Sequence, residues 1–152
     1  MFELINKLSD TRSLSTDEYE YLIKNRTDEA AALLKEYAVK ARSKYYQNKV
    51  FVRGLIEVSN ICKNDCYYCG IRKSNLNCDR YRLSKDEILE CCKEGYGLGF
   101  RTFVLQGGED GAFTDNFLCD LIESIKHNHP DCAVTLSLGE RSRESYQKLY
   151  DS

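Results

Sequence analysis

The first third of the chain has the hydrophobic pattern of helices. Apolar side chains recur at the three- and four-residue spacing of one helix face, at Ala30, Leu33, Leu34, Tyr37, Ala38 and Ala41. Thr27 precedes this stripe and is placed to cap the helix, because its hydroxyl can accept a backbone N–H of the first turn. A shorter helix over residues 17–24 comes before it. The pattern predicts a helical N-terminal extension over residues 1–49.

Beyond residue 50, short apolar runs alternate with helical stripes. Three runs have the composition of strands, over residues 51–58, 100–105 and 133–138. A helix signal follows each of them. The first helix begins at Ser84, which forms a capping box with Glu87. The second buries a stripe that ends at Ile125, and the third begins at Arg141 and continues to Tyr150.

Strands that alternate with helices favour an α/β fold with a parallel sheet. Three βα units of about 30 residues each fit after residue 50. A complete (β/α)8 barrel of the TIM type needs about 250 residues. We therefore expect residues 50–152 to form the N-terminal part of such a barrel, truncated at its carboxyl end. The alternative is a small three-stranded α/β domain, which would leave its edge strands poorly covered.

Charge and composition exclude several function classes. The 152 residues include 22 Lys and Arg against 24 Asp and Glu, a net charge of −2, which argues against binding to nucleic acid or to an anionic membrane. No apolar run approaches the ~20 residues of a membrane span. The first residues also lack the basic and apolar layout of a secretory signal. We expect a cytoplasmic protein.

Cysteine is unusually frequent, with eight residues in the chain. Because the cytosol keeps thiols reduced, metal or cluster ligation explains some of them better than disulfides do. Four have no ligand spacing and are expected to be thiols of the core: Cys91, Cys92, Cys119 and Cys132. Cys78 is expected to be a free thiol.

Three cysteines follow the first predicted strand in a C-x3-C-x2-C pattern, at Cys62, Cys66 and Cys69. Loops in this position build the active sites of parallel barrels. A 4Fe–4S cluster normally takes four cysteines, so three thiolates leave one iron open to a substrate or cofactor. One alternative is a structural zinc site that recruits Cys78. Another is a degenerate α/β module with unligated thiols and no catalytic role.

Two motifs together resemble the radical S-adenosylmethionine (SAM) superfamily. The first is the cysteine loop itself, which has an aromatic residue, Tyr68, just before the third cysteine. The second is Gly107-Gly108-Glu109 after the second strand, which resembles the GGE motif of that superfamily. Both motifs lie where a barrel requires them.

The resemblance implies a cofactor set and its contacts. The three loop cysteines would hold a 4Fe–4S cluster whose open iron chelates SAM, and an electron from the cluster would cleave SAM to methionine and a 5′-deoxyadenosyl radical. Tyr68 would lie near the adenine. The other implied cofactor contacts are Gln106, Gly107, Gly108, Glu109, Thr135, Ser137 and Glu140. No side chain is expected to be catalytic, because the cluster and SAM carry the chemistry.

Further stretches narrow the resemblance to the HydE family of FeFe-hydrogenase maturases, whose relatives are methylornithine synthase and biotin synthase. These stretches are residues 57–60, 62–72, 80–83, 104–110 and 135–140. The resemblance implies an iron-bound or small-molecule substrate, an electron donor such as ferredoxin or flavodoxin, and other hydrogenase maturases as partners. The GGE turn lacks the proline that often follows it, and we expect the chain alone to be inactive.

Overall fold

A computed structural model describes residues 1–152 and divides them into two compact units, Met1–Val50 and Phe51–Ser152. The first unit consists of helices α1 (Phe2–Thr11), α2 (Thr16–Lys24) and α3 (Asp28–Tyr46). The second unit consists, in chain order, of β1 (Gly54–Ser59), α4 (Lys85–Gly97), β2 (Thr102–Gly107), α5 (Asp115–Asn128), β3 (Ala133–Ser137) and α6 (Arg143–Asp151). None of the helices combines the length and the apolar character that crossing a membrane demands.

The helical unit has a small core of its own. Ser15 begins α2 with a capping box, in which its hydroxyl accepts the N–H of Glu18 and its own N–H donates to the Glu18 carboxylate. Thr27 caps α3 by accepting the N–H of Ala30, as predicted. The buried side chains of this unit are Ile5, Leu14, Leu22 and Ala30.

The strands of the second unit form one parallel sheet in the order β1-β2-β3. Ile56 of β1 lies opposite Leu105 of β2, which in turn lies opposite Leu136 of β3. A helix connects each strand to the next, so the predicted βαβ units are confirmed. Since side chains alternate between the two faces of a strand, the row through Leu105 points to one face and its neighbouring rows to the other.

An apolar layer between the helices and the face of the sheet that carries Leu105 forms the core of the second unit. Its fully buried side chains include Phe103 and Leu105 of the sheet and Leu118, Leu121 and Ile125 of α5. Burying one such side chain contributes about 1.5–3 kcal/mol. The layer makes the sheet a rigid base for the segments that follow its strands.

Two predictions about this unit were wrong. β1 begins at Gly54 rather than at residue 51, because β2 begins at Thr102 and pairing of the two strands starts at Gly54 opposite Phe103. Cys91 is exposed, whereas the next residue on α4, Cys92, is buried. Consecutive helix residues point about 100° apart, so the two cannot both face the sheet. The other predicted boundaries agree to about two residues.

Candidate functional site

The candidate site lies at the carboxyl end of the sheet. In a parallel sheet the strands end at the same edge, so the segments that follow β1, β2 and β3 meet there. These segments are residues 60–84, 108–114 and 138–142. They contain the predicted cysteine ligands and the predicted Gly-Gly-Glu turn.

The segment after β1 is closed at its base. The N–H of Leu83 donates to the carbonyl of Val58 (2.9 Å), and Ser59 and Arg82 form an antiparallel bridge beside this contact. The chain therefore leaves the sheet and returns to it at the same point. Residues 61–80 form a loop whose two ends are held together.

The three cysteines of this loop are free thiols, with Cys66 exposed and Cys62 and Cys69 half-buried. The N–H of Cys69 donates to the carbonyl of Cys66 (3.0 Å), so a tight turn joins the second and third cysteines. No group of three His, Cys, Asp or Glu side chains in the structure is arranged to hold a metal ion. The thiols therefore share one loop without forming a ready coordination sphere.

The donor set nevertheless fits an iron–sulfur cluster. Cysteine thiolates are the ligands of such clusters, and the three loop thiols lie in no disulfide. A closed zinc site would need a fourth ligand. The predicted candidate for it, Cys78, is half-buried, and its thiol faces the carbonyl of Asn75 (3.8 Å). The residues present suit a cluster held by three cysteines.

The Gly-Gly-Glu turn packs directly against the start of the cysteine loop. The N–H of Gly108 donates to the carbonyl of Ser59 (3.1 Å). A Cβ on Gly108 would lie 2.7 Å from the Cβ of Cys62, and one on Gly107 would lie 2.8 Å from the carbonyl oxygen of Ser59. No side chain fits at these distances, so close packing requires glycine at both positions. The two motifs are in contact.

Glu109 connects the turn to two other segments. Its carbonyl accepts the N–H of Lys63 (3.1 Å), and its carboxylate pairs with Lys63 Nζ (3.0 Å) and accepts Asn64 Nδ2 (2.8 Å). The Lys63 ammonium is the main reason that the pKa of Glu109 lies below its ordinary value. The Asn64 amide and the N–H of Glu140 lower it further. A Cβ on Gly139, where φ is 87°, would lie 2.6 Å from Glu109 Cδ.

Asp110 follows the turn and is buried, with its side chain 3% exposed. Arg82 Nε and Nη2 each donate to one of its carboxylate oxygens at 2.7 Å. Ser59 Oγ (2.9 Å) and the N–H of Ala112 (3.0 Å) donate as well. The Arg82 guanidinium is the main cause that lowers the pKa of Asp110 to about 2. This ion pair joins the turn to the base of the cysteine loop.

Of the remaining predicted contacts, Glu140 adjoins the turn through its backbone N–H, which bonds to the Glu109 carboxylate. Gln106 lies opposite Ser137, and Thr135 shares their face of the sheet, which is the face away from the helices. Glu140 is exposed beyond the end of β3. Tyr68 is 93% exposed, so its ring points into solvent. The structure therefore brings the Gly-Gly-Glu turn to the start of the cysteine loop, whereas the Tyr68 side chain of the same loop extends into solvent.

Several residues that organise the site were not predicted from the sequence: Ser59, Lys63, Asn64, Arg82 and Asp110. Each lies beside a motif, but none has a local pattern of its own. The partners Arg82 and Asp110 lie 28 residues apart in the chain. Only the fold brings such residues together. The signal for them in the sequence was that all five lie within stretches that resemble the HydE family, residues 57–60, 62–72, 80–83 and 104–110.

Comparison with known proteins gives clear relatives, although no protein-family model matches. The chain is 43% identical to the [FeFe] hydrogenase maturase subunit HydE of Thermotoga maritima over 107 residues, which are 70% of this chain and 30% of that protein. It is 35% identical to 3-methylornithine synthase of Methanosarcina acetivorans over 124 residues, which are 80% of this chain and 35% of that protein. The chain thus spans about a third of the length of these curated relatives.

Solved structures show the same architecture. Methylornithine synthase (PylB) matches with a TM-score of 0.75 and 29% identity, over 97% of this chain and 44% of that one. HydG, a maturase of the [FeFe]-hydrogenase, matches with a TM-score of 0.82 over 99% of this chain and 34% of that one; at 22% identity this likeness shows the fold alone. The predicted fold class, part of a TIM-type (β/α)8 radical SAM barrel, is confirmed. Through its relatives, all radical SAM enzymes, the chain belongs to the radical SAM superfamily.

Proposed function

We propose that this chain holds a 4Fe–4S cluster and SAM, as part of an enzyme that cleaves SAM reductively. Cys62, Cys66 and Cys69 would ligate the cluster. The contact between the cysteine loop and the Gly-Gly-Glu turn carries this proposal. A Cβ on Gly108 would lie 2.7 Å from the Cβ of Cys62, so the cluster ligands and the turn that resembles the SAM-binding motif adjoin each other.

The residues of the chain would bind and orient the cofactor. When bound, the cluster would supply the electron that breaks a C–S bond of SAM to give a 5′-deoxyadenosyl radical. The backbone of Gly107 and Gly108 can approach the methionine moiety closely, because neither residue has a side chain. Glu109 stays ionised beside Lys63 and can accept a hydrogen bond from the amino group of SAM.

Polar groups on the exposed face of the sheet and at its edge would complete the cofactor contacts. Gln106, Thr135 and Ser137 share that face, and Glu140 follows it at the carboxyl end of β3. Tyr68 is free to move onto the adenine when SAM binds, because its ring is 93% exposed and not held in the core. Stacking of an aromatic side chain on a base contributes about 1–3 kcal/mol.

We further infer that the reaction serves assembly of the di-iron site of an FeFe hydrogenase, on an iron-bound precursor. The support is 43% identity to HydE, over 30% of the length of that protein. Reduction of the cluster would come from a donor such as ferredoxin or flavodoxin, and other hydrogenase maturases would be the protein partners. A cytoplasmic setting suits the eight cysteines, all of which are free.

A second candidate is radical SAM chemistry on an organic substrate, of the methylornithine synthase or biotin synthase kind. It is favoured by the 35% identity to 3-methylornithine synthase and by the TM-score of 0.75 with PylB. The cysteine loop and the turn serve either chemistry. Product analysis separates the two candidates, since only the second would convert a purely organic substrate.

Both candidate functions share the proposed cluster ligands. These are tested by measuring cluster loading of the chain and of the variant Cys66→Ser. The wild type, reconstituted anaerobically with iron and sulfide, should retain about four irons per chain. Cys66→Ser should retain almost none, because two thiolates cannot hold the cluster. Cys91→Ser is the matched control, since Cys91 is also an exposed free thiol but lies on α4; it should load like the wild type.

Iron, sulfide and zinc are measured in all three proteins. Full iron content in Cys66→Ser would contradict the ligand assignment. Zinc without iron in the wild type would support the remaining alternative, a zinc-binding or degenerate module without catalysis.

A further inference from the structure

The cysteine loop owes its shape to turns and side chains, because it contains no helix and no strand of its own. Two consecutive turns follow the second cysteine. The N–H of Cys69 donates to the carbonyl of Cys66 (3.0 Å), and that of Arg72 donates to the carbonyl of Cys69 (3.3 Å). A third turn joins Asn75 to Arg72 (3.1 Å). Turns of this kind are weak alone, so other groups must hold the loop in place.

Arg80 contacts three backbone carbonyls of this loop and that of Asn60, the residue just before it. Its Nη1 donates to the carbonyls of Asn60 (2.5 Å) and Ile71 (2.9 Å). Its Nη2 donates to those of Arg72 (2.7 Å) and Asn75 (3.0 Å). Each terminal nitrogen of a guanidinium carries two hydrogens. The four terminal hydrogens of Arg80 thus match four acceptors.

These carbonyls lie on both sides of the cysteines. Asn60 precedes the first cysteine by two residues, and Ile71 follows the third by two. One planar, rigid group therefore sets the separation between the ends of the three-cysteine segment. The Asn60 side chain supports the same end, because it donates to the carbonyl of Asp79 (2.7 Å) and accepts the N–H of Tyr81 (2.8 Å).

The arrangement depends on the shape of the guanidinium more than on its charge. None of the ion pairs in the structure includes Arg80, although its side chain is charged. A lysine ammonium has its three hydrogens on one atom and cannot reach both pairs of carbonyls. Lysine at this position would keep the charge but could not make all four hydrogen bonds to the backbone carbonyls.

We propose that Arg80 is a positioning residue that preforms the cysteine loop for its cluster. The proposal rests on the proposed function for the identity of the ligand, whereas the ordering of the loop stands on the hydrogen bonds alone. The loop of the metal-free chain should therefore already depend on Arg80.

The test compares the wild type, Arg80→Ala, Arg80→Lys and the control Arg101→Ala. Arg101 is also exposed and donates to two backbone carbonyls, but it lies at the start of β2, away from the cysteine loop. Hydrogen–deuterium exchange of the metal-free chain is measured for residues 61–79. A second readout is the rate at which a chelator removes iron from the reconstituted chain. Circular dichroism checks that each variant folds.

Both Arg80 variants should exchange these amides about tenfold faster than the wild type and release iron about tenfold faster. Arg101→Ala should match the wild type in both. Wild-type exchange or wild-type iron release in Arg80→Ala would overturn the proposal, as would rescue of either by Arg80→Lys. If Arg80→Ala does not fold, Arg80→Lys decides. If the wild type takes up zinc and no iron, the proposed function fails, while faster exchange in the Arg80 variants would still support the ordering of the loop.

Discussion

The core of the second unit and the cysteine loop place cysteine side chains in opposite environments, one buried and the other open to solvent. Cys92 and Cys132 lie in the apolar layer, where burial is the main cause that raises the pKa of each thiol, for Cys92 to about 12. The loop cysteines are exposed or half-buried, Cys66 most of all. Burial keeps a thiol protonated and unreactive, whereas exposure leaves it available to a metal. Environment, not residue type, separates the two groups.

The two regions also differ in what holds them together. The core is held by apolar side chains such as Leu118 and Leu121, which are fully buried. The loop and the turn are held by polar contacts, and those of the buried Asp110 carboxylate with Ser59 and Arg82 join the turn to the base of the loop. A stable core fixes the strand ends, and the polar loops on them are free to carry chemistry.

Thiol labelling would show the largest difference between the two regions. In the metal-free, reduced chain at pH 8, only about one Cys92 thiol in 10⁴ is ionised if its pKa is about 12. Cys66 should therefore react with a disulfide reagent on the order of 10³-fold faster than Cys92 or more. Peptide mapping by mass spectrometry measures the rate at each cysteine.

Cys91 is the internal control for this experiment. It adjoins Cys92 on α4 but is exposed, so it should label quickly. In denaturant all eight thiols should react at similar rates. Equal labelling of Cys92 and Cys66 in the folded chain would contradict the division between core and loop.

A smaller effect is expected when the polar support of the turn is removed. Asp110→Asn should lower the free energy of unfolding by about 1–2 kcal/mol at pH 7, because it removes the charge of the ion pair. The loss is limited because the Arg82 side chain is 42% exposed, so that solvent screens the pair. The pKa of Asp110 is lowered to about 2 in the folded chain. The stabilisation is therefore complete above the ordinary pKa of aspartate, about 4, and disappears as the pH falls from there to about 2.

Urea unfolding from pH 7 to pH 2 would measure this difference. Asp131→Asn is the matched control, because Asp131 pairs with Arg101 in an exposed ion pair and should change stability by less than about 1 kcal/mol. If the difference in unfolding free energy between Asp110→Asn and the wild type grew as the pH falls, this prediction would be contradicted.

The features predicted correctly from the sequence are those that depend on a few neighbouring residues. Thr27 and Ser84 capped their helices as expected, because a cap needs only a few neighbouring residues. The start of β1 was wrong, since it depends on where the partner strand begins. The contacts of Arg80 and Asp110 were missed because they depend on the folded path of the chain: Arg80 meets carbonyls of an irregular loop, and Asp110 meets Arg82 28 residues away. The roles of the predicted cofactor residues remain predictions.

Electron paramagnetic resonance is the most direct test that this chain holds a cluster and SAM together. The reconstituted chain is reduced with dithionite, and spectra are recorded with and without SAM. We expect the signal of a reduced 4Fe–4S cluster, with g values that change when SAM is added, because SAM would bind the open iron. A cluster signal that is indifferent to SAM, or a chain that holds zinc and gives no cluster signal, would contradict the proposed site.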